Sequence, residues 1–290
     1  DYKGLGMKNR SAVLLLIVVL FLALSCPVNG AVEGDVKKTL NLESPPLDLA
    51  ASLNGKYIYV LTAQGSILIY SLDWKLEDKI SVGSQVDSIE VGPWEDVILL
   101  VSKKDKEVQI LLLDFIKDID LSNSPFKGPA DAPVEIAVFS DFQWPYCARL
   151  SPLLEQVFET YPKVVKLAIK NFPLPNHKFA RQAAVAALAA NRQGKFWEFH
   201  DELYKNYSRL SEEKIQEIAQ QVGLDTAKLD QDMKAPEINA IVENDLREGK
   251  NAGVRGIPTI FINGRLLRDR SFAGFQAAIE KELAEEGRKK

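Results

Sequence analysis

The sequence predicts a chain in two folded parts: a small β-rich unit, then an α/β domain whose sheet-forming segments are separated by a helical insertion. Three observations predict it. From about Val36 to Ile119, short apolar runs alternate with polar turns and repeat after roughly 40 residues. Residues 122–133, S-N-S-P-F-K-G-P-A-D-A-P, hold three prolines and a glycine and read as a domain boundary. Beyond them, apolar runs of strand length flank five successive helical patterns.

The repeat is legible by eye. L-D-L-A-A-S-L-N-G-K-Y-I-Y-V-L at 47–61 parallels V-D-S-I-E-V-G-P-W-E-D-V-I-L-L at 86–100, an offset of 39. I-L-I-Y-S-L-D, ending at Asp73, parallels V-Q-I-L-L-L-D, ending at Asp114, an offset of 41. This spacing suits propeller-blade-like repeats, yet two blades cannot close a ring. The unit, within residues 31–121, is therefore expected either to pack as a small two-sheet spacer or to offer a docking or homo-oligomerisation surface. Asp48, Asp73, Asp87 and Asp114 sit where Asx turns end strands.

In residues 134–290 the expected elements follow in order. V-E-I-A-V-F (134–139) is a strand, and 147–160 a helix with apolar Leu150, Leu153, Leu154, Val157 and Phe158. V-V-K-L-A-I-K-N-F (164–172) is the second strand. Helices are expected over 179–191, 196–205, 211–223, 225–234 and 236–250, the third capped by Ser211 with Glu212 and Glu213 in its first turn. T-I-F-I (259–262), the Asn263-Gly264 turn signal and Arg265-Leu266-Leu267 make a hairpin, and 271–286 a closing helix. The order β-α-β, helices, β-β-α is that of a thioredoxin fold with a helical subdomain inserted.

The N-terminal segment (1–30) reads as an address. Residues 1–6 precede Met7 and are excluded from the fold. Lys8 and Arg10 then lead into the apolar run AVLLLIVVLFLAL (12–24), short for a membrane span but suited to a signal peptide. Cleavage after Val28-Asn29-Gly30 and acylation of Cys26 in Ala23-Leu24-Ser25-Cys26 both stay open, the second giving a membrane tether. Either way the chain is expected to be exported, to the periplasm or the outer side of the cytoplasmic membrane. Its formal net charge of −4 argues against nucleic acid as a partner.

Cys26 and Cys147 are the chain's two cysteines. With Cys26 removed or acylated, one thiol is left and no internal disulfide can form. Cys147 closes F-S-D-F-Q-W-P-Y-C (139–147), where a strand enters a proline turn and a helix begins. A thiol nucleophile placed at a helix N-terminus ionises more readily, because backbone N–H groups and the dipole stabilise the thiolate.

That stretch, with F-P-L-P-N-H-K-F-A-R-Q-A-A, G-K-F-W-E-F-H-D-E-L-Y and G-V-R-G-I-P-T-I-F-I-N-G, resembles the DsbA-like branch of the thioredoxin superfamily over residues 122–290. The resemblance implies an exported thiol-disulfide oxidoreductase acting on unfolded or cysteine-containing exported proteins and recharged by an unidentified redox partner. Oxidation and isomerisation both stay open. It puts the first active-site cysteine at Trp144, the resolving one at Cys147 and the family dipeptide at Pro145-Tyr146. It also implies a cis-proline at Pro258, with Ile257 before it contacting substrate. Asp141 is expected either as a buried proton-transfer acid or as a strand-end cap. His177, His200, Phe196 and Trp197 are expected to be structural, and neither a metal nor another cofactor is implied.

Tryptophan cannot act as the nucleophile, and three readings of Trp144 stay open. The chain is a redox-inactive relative that binds unfolded polypeptides as a chaperone; or the residue was introduced to disable the site; or its codon is UGA, decoded as selenocysteine and rendered Trp by a non-standard code table. A third role, as a structural subunit docked through the β repeats, would depend on residues 36–119.

Overall fold

Alternating apolar residues build the first part of the structure, a computed structural model that describes residues 34–94 and 96–289. The leader, Cys26 and the readings attached to them lie outside these residues. Strands Pro46–Ala51 (β1), Tyr57–Thr62 (β2), Ser66–Ser71 (β3) and Leu76–Ser81 (β4) form one antiparallel meander. Ser88–Val91 (β5), Val97–Ser102 (β6) and Glu107–Leu112 (β7) form a second. The sheets share a core in which Tyr59, Leu61, Ile67 and Ile69 meet Ile89, Ile98 and Leu100. Asp48 ties them together by accepting the Ile89 N–H across the gap at 2.8 Å, so it does more than end a strand.

The β-rich unit forms as a small two-sheet unit, and propeller-like repeats are not shown. The sheets are open, of four and three strands, and no closed array forms among the described residues. Nor are the two copies in step over their length. The repeat equates Ile69 with Ile110, yet Ile69 pairs with Tyr59 on the buried face, whereas Ile110 pairs with Leu99 on the opposite face. The turn between β6 and β7 spans 103–106, one residue more than the 63–65 turn. Because side chains alternate sides along a strand, a one-residue shift exchanges the faces. The second sheet thus turns Val108 and Ile110, each 68% exposed, away from the shared core.

The second part starts earlier than the composition suggested. Phe126–Lys127 (β8), inside the proline-rich stretch read as a linker, pairs antiparallel with Val165–Asn171 (β10). Val134–Ser140 (β9), Thr259–Ile262 (β11) and Arg265–Leu266 (β12) complete a sheet of order β12-β11-β9-β10-β8, with β9 and β10 parallel. The helices are Pro145–Thr160 (α1), Ala180–Arg192 (α2), Phe196–Lys205 (α3), Glu212–Gln221 (α4), Thr226–Met233 (α5), Pro236–Ala252 (α6) and Phe272–Lys289 (α7). Helices α3 to α6 gather around α2. Its buried Ala183, Ala184, Ala186 and Ala187 present little bulk, which lets neighbouring helices approach closely. Ser211 caps α4 by accepting the Lys214 N–H, and Asp225 caps α5 through Lys228.

Two local features join the parts. Gly264, at φ +76°, lies so close to the connecting chain that a Cβ there would come within 2.1 Å of the Lys117 carbonyl oxygen, and its own carbonyl accepts the Lys117 N–H at 2.9 Å. Arg268, just past the hairpin, donates to Asp96 at 2.7 Å and to Asp114. Asp114 is therefore an ion-pair partner between the two parts rather than a simple turn cap.

A cluster of buried charge lies between β10 and α6. Lys170 on β10, its side chain 6% exposed, meets Asp245 and Glu248 of α6 at 2.7 Å each. Burial works against its charge, but these carboxylates hold the Lys170 ammonium above its ordinary pKa. Asp245 also accepts the backbone and side-chain N–H groups of Asn171 at 2.8 and 2.9 Å.

Candidate active site

The site forms where β9 ends and α1 begins. Asp141 turns the chain through its fully buried carboxylate. Oδ1 accepts the Gln143 N–H at 2.6 Å, and Oδ2 accepts the Leu174 N–H at 2.8 Å and lies 2.8 Å from Nδ1 of His177. These bonds make Asp141 a cap for two backbone segments. Gln143 continues the link, its Oε1 accepting the Phe179 N–H at 2.5 Å. The loop carrying His177 is thereby fastened to the turn before α1. That brings into the site a histidine which the sequence analysis had assigned to structure. Its only sequence signal was its place in F-P-L-P-N-H-K-F.

Trp144 is the N-cap of α1, with extended backbone (φ −85°, ψ 121°) and no side-chain capping bond, and Pro145 follows at the first helical position. No acidic residue occupies the first turn. The helix start is therefore a positive pole that its N-cap side chain leaves without a hydrogen-bond acceptor. The indole turns elsewhere. It lies 5.3 Å from both the Tyr146 and His177 rings, and its Nε1 donates to the Ile257 carbonyl at 2.9 Å. The Ile257–Pro258 peptide is cis and leads directly into β11. Trp144, Ile257 and Pro258 thus meet at one end of the sheet, with Tyr146 56% exposed beside them.

Cys147 sits one turn into the helix and is 2% exposed. Burial pushes its thiol up to about 11, an effect that hydrogen bonds from Ser140 and the Asp141 backbone only partly offset. The Asp141 carboxylate raises it further, and the Arg270 guanidinium lowers it slightly. Ser140 in turn bonds Tyr204 of α3, Oγ to OH, at 2.5 Å. Burial and the nearby Cys147 hold the Tyr204 phenol well above its usual pKa. Ser140, Tyr204 and Arg270 are thus part of the thiol's surroundings, and the sequence carried no spacing to reveal them, since they come from β9, α3 and the segment before α7.

His200 and Trp197 lie in α3 beneath this layer. His200 is buried against Phe142, Phe196 and Tyr204, and burial lowers its pKa. No group of three or more His, Cys, Asp or Glu side chains suited to a metal occurs among the described residues.

A single buried thiol of this kind should react slowly. At pH 7 a group with a pKa near 11 is ionised in roughly one molecule in 10,000, so alkylation of Cys147 should accelerate about tenfold per pH unit through the neutral range. Thiolate absorbance followed against pH should give a midpoint near 11. A midpoint below about 8 would show that burial does not govern this group.

The comparisons with known proteins bear on this part of the chain. A thioredoxin-like oxidoreductase from Silicibacter pomeroyi is 30% identical, with a TM-score of 0.50 over 55% of this chain and 92% of that one. BdbD from Bacillus subtilis, 22% identical with a TM-score of 0.53, covers 59% of this chain and 98% of its own and shares the fold. The curated Na(+)/H(+) antiporter NhaA 3 of Salinispora tropica is 30% identical over 155 residues, 53% of this chain. The chain spans about a quarter (24%) of that protein's length. Over the aligned residues these solved structures share this chain's fold. A family model described as Thioredoxin matches residues 121–281, which hold the Trp144–Cys147 turn, the cis Ile257–Pro258 bond and the whole five-stranded sheet. By sheet, site and matched span, this chain belongs to the thioredoxin family.

Proposed function

We propose that the protein is an exported thiol-disulfide oxidoreductase of polypeptide clients, with position 144 as its nucleophile position, encoded by UGA and decoded as selenocysteine. The observation that carries this reading is the vacant cap. Residue 144 is the N-cap of α1, one turn before Cys147 and against the cis-proline segment, yet its side chain makes no capping bond. An ionised chalcogen is the acceptor such a helix start favours. The selenolate would attack one sulfur of a client disulfide and expel the other as thiolate. Cys147, deprotonated, would then attack the Se–S bond, release the reduced client and close a bond between positions 144 and 147. Run in reverse, the same steps oxidise a client dithiol, and the redox partner sets the direction.

The test is the codon together with the intact mass of the protein made by its native host. UGA and a selenium-containing residue support the proposal, and UGG rejects it. A second reading has its own observation. If tryptophan is genuine, the Nε1–Ile257 bond covers the backbone acceptor beside Pro258 and Cys147 stays a protonated thiol, so the domain binds unfolded clients without exchange. Such a protein would suppress client aggregation and be indifferent to Cys147→Ala. Export, by a cleaved leader or acylated Cys26, belongs to both readings. Among the described residues no helix is long and apolar enough to cross a membrane.

A further inference from the structure

The buried thiol has two hydroxyls for company. Ser140, the last residue of β9, and Tyr204 on α3 are 7% and 6% exposed, and their oxygens meet at 2.5 Å beside Cys147. Both are held in place. Ser140 pairs with Asn171 of β10, and its carbonyl accepts the Phe172 N–H at 2.7 Å. The Tyr204 ring packs against Phe142 and His200, with ring centres 5.0 and 4.7 Å away. Each hydroxyl carries one proton, so the direction of the bond decides what the pair can do. Tyr204 has no other hydrogen-bond partner among the described residues. Were it to accept from Ser140, its own proton would be buried without an acceptor. Tyr204 therefore donates to Ser140 Oγ, and the Ser140 proton is left for the sulfur. With no acceptor beyond Tyr204, the pair is a row of donors and not a proton relay. The charged groups nearby offer no substitute. Asp141 is committed to the Gln143 and Leu174 N–H groups and to His177, and its negative charge opposes a second anion. Arg270 favours the thiolate only slightly, and burial keeps His200 in its neutral form.

We propose that Ser140 and Tyr204 are positioning residues for the step in which Cys147 releases the client: Tyr204 donates to Ser140, and Ser140 donates to the Cys147 sulfur as it becomes a thiolate. The inference rests on the exchange reading above. In that step a lone pair of the Cys147 thiolate forms the bond to the chalcogen at position 144. The bond from that chalcogen to the client sulfur breaks, and the client sulfur leaves with the electron pair. Cys147 gives its proton to solvent, and the client thiolate takes one up there. A donor fixed beforehand holds the charged sulfur more strongly than the neutral thiol, so it favours the form that reacts.

The experiment follows iodoacetamide alkylation of Cys147 in the full chain, with the modified residue assigned by fragment mass. Ser140→Ala should slow alkylation near pH 9 about tenfold, because losing a hydrogen bond to a charged group raises the thiol pKa. Tyr204→Phe, which keeps the ring and removes only its hydroxyl, should slow it about threefold. The double variant should be no slower than Ser140→Ala, because Tyr204 acts through Ser140. It also carries the test if Ser140→Ala, which leaves the Tyr204 hydroxyl buried and unpaired, does not fold. These differences should hold through the neutral range and close above about pH 12, where parent and variants are all ionised. A purely structural role predicts the reverse, since a loosened core exposes the thiol and speeds alkylation at every pH. Equal or faster alkylation in Ser140→Ala and in the double variant overturns the proposal, and so does a double variant in which the two effects add. In the Trp144→Cys chain, Ser140→Ala should lower the ratio of client release to attack about tenfold. If Trp144→Cys forms no mixed disulfide, the exchange reading fails and takes the releasing step with it, while the alkylation rates decide the row of donors separately.

Discussion

In the chain that carries tryptophan at position 144, Trp144→Cys should give a protein that reduces insulin and exchanges with small disulfides at catalytic rates. The argument is one of ionisation and position. Cys147 alone, buried and pushed up to about 11, offers roughly one thiolate in 10,000 at pH 7. A cysteine at the α1 N-cap falls in the family of helix-start thiols with pKa values of about 3.5–7.5, a gain of some 1,000-fold or more in reactive thiolate. The substitution also removes the indole from the Ile257 carbonyl, uncovering the backbone beside Pro258. A stopped-flow alkylation rate and an insulin turbidity assay measure both consequences. The double variant Trp144→Cys/Cys147→Ala should trap a mixed disulfide with its client, because nothing remains to resolve it. If Trp144→Cys reacts no faster than the parent, position 144 is not a nucleophile position, whatever its codon.

Lys170→Met should lower the stability of the thioredoxin-family domain by about 3–5 kcal/mol, the usual effect of removing one partner from a buried charge pair. Asp245, 3% exposed, would keep its bonds to Asn171 but lose its counter-ion, with Glu248 left beside it. The pH dependence carries the signature. Lys170 is raised above its unfolded value of 10.5, so its contribution is complete below that pH and fades as pH rises through the folded pKa. Urea midpoints of parent and variant should therefore differ most near neutrality and converge in strong alkali. A constant difference across that range would show that packing of the methylene stem, not charge, is what Lys170 supplies.

Much of the fold could be read because its signals are local. Ser211 and Asp225 cap their helices within three residues, Asn263-Gly264 takes positive φ to close the hairpin, and the apolar period of 147–160 matches α1 within two residues. Where reading failed, the deciding partner was distant. Phe126–Lys127 looked like connector because its strand character comes from pairing with Leu167 and Ala168. The repeat was misaligned because one extra turn residue, harmless to composition, exchanges the faces of a strand. That His177 lies beside the turn was not legible because its partner Asp141 lies 36 residues away.

The sequence by itself determined the family, the element order and the position of the candidate site. Capping residues, hydrophobic period and the W-P-Y-C turn act over a few bonds and need no neighbours. Only the tertiary structure decided what surrounds that turn. It buries Cys147 beside Ser140 and Tyr204, seats Trp144 on the Ile257 carbonyl, and sets an apolar sheet face across a cleft from Ile257. Burial and charge are sums over all that packs nearby, and for these groups the neighbours arrive from β6, β7, α3 and the segment before α7.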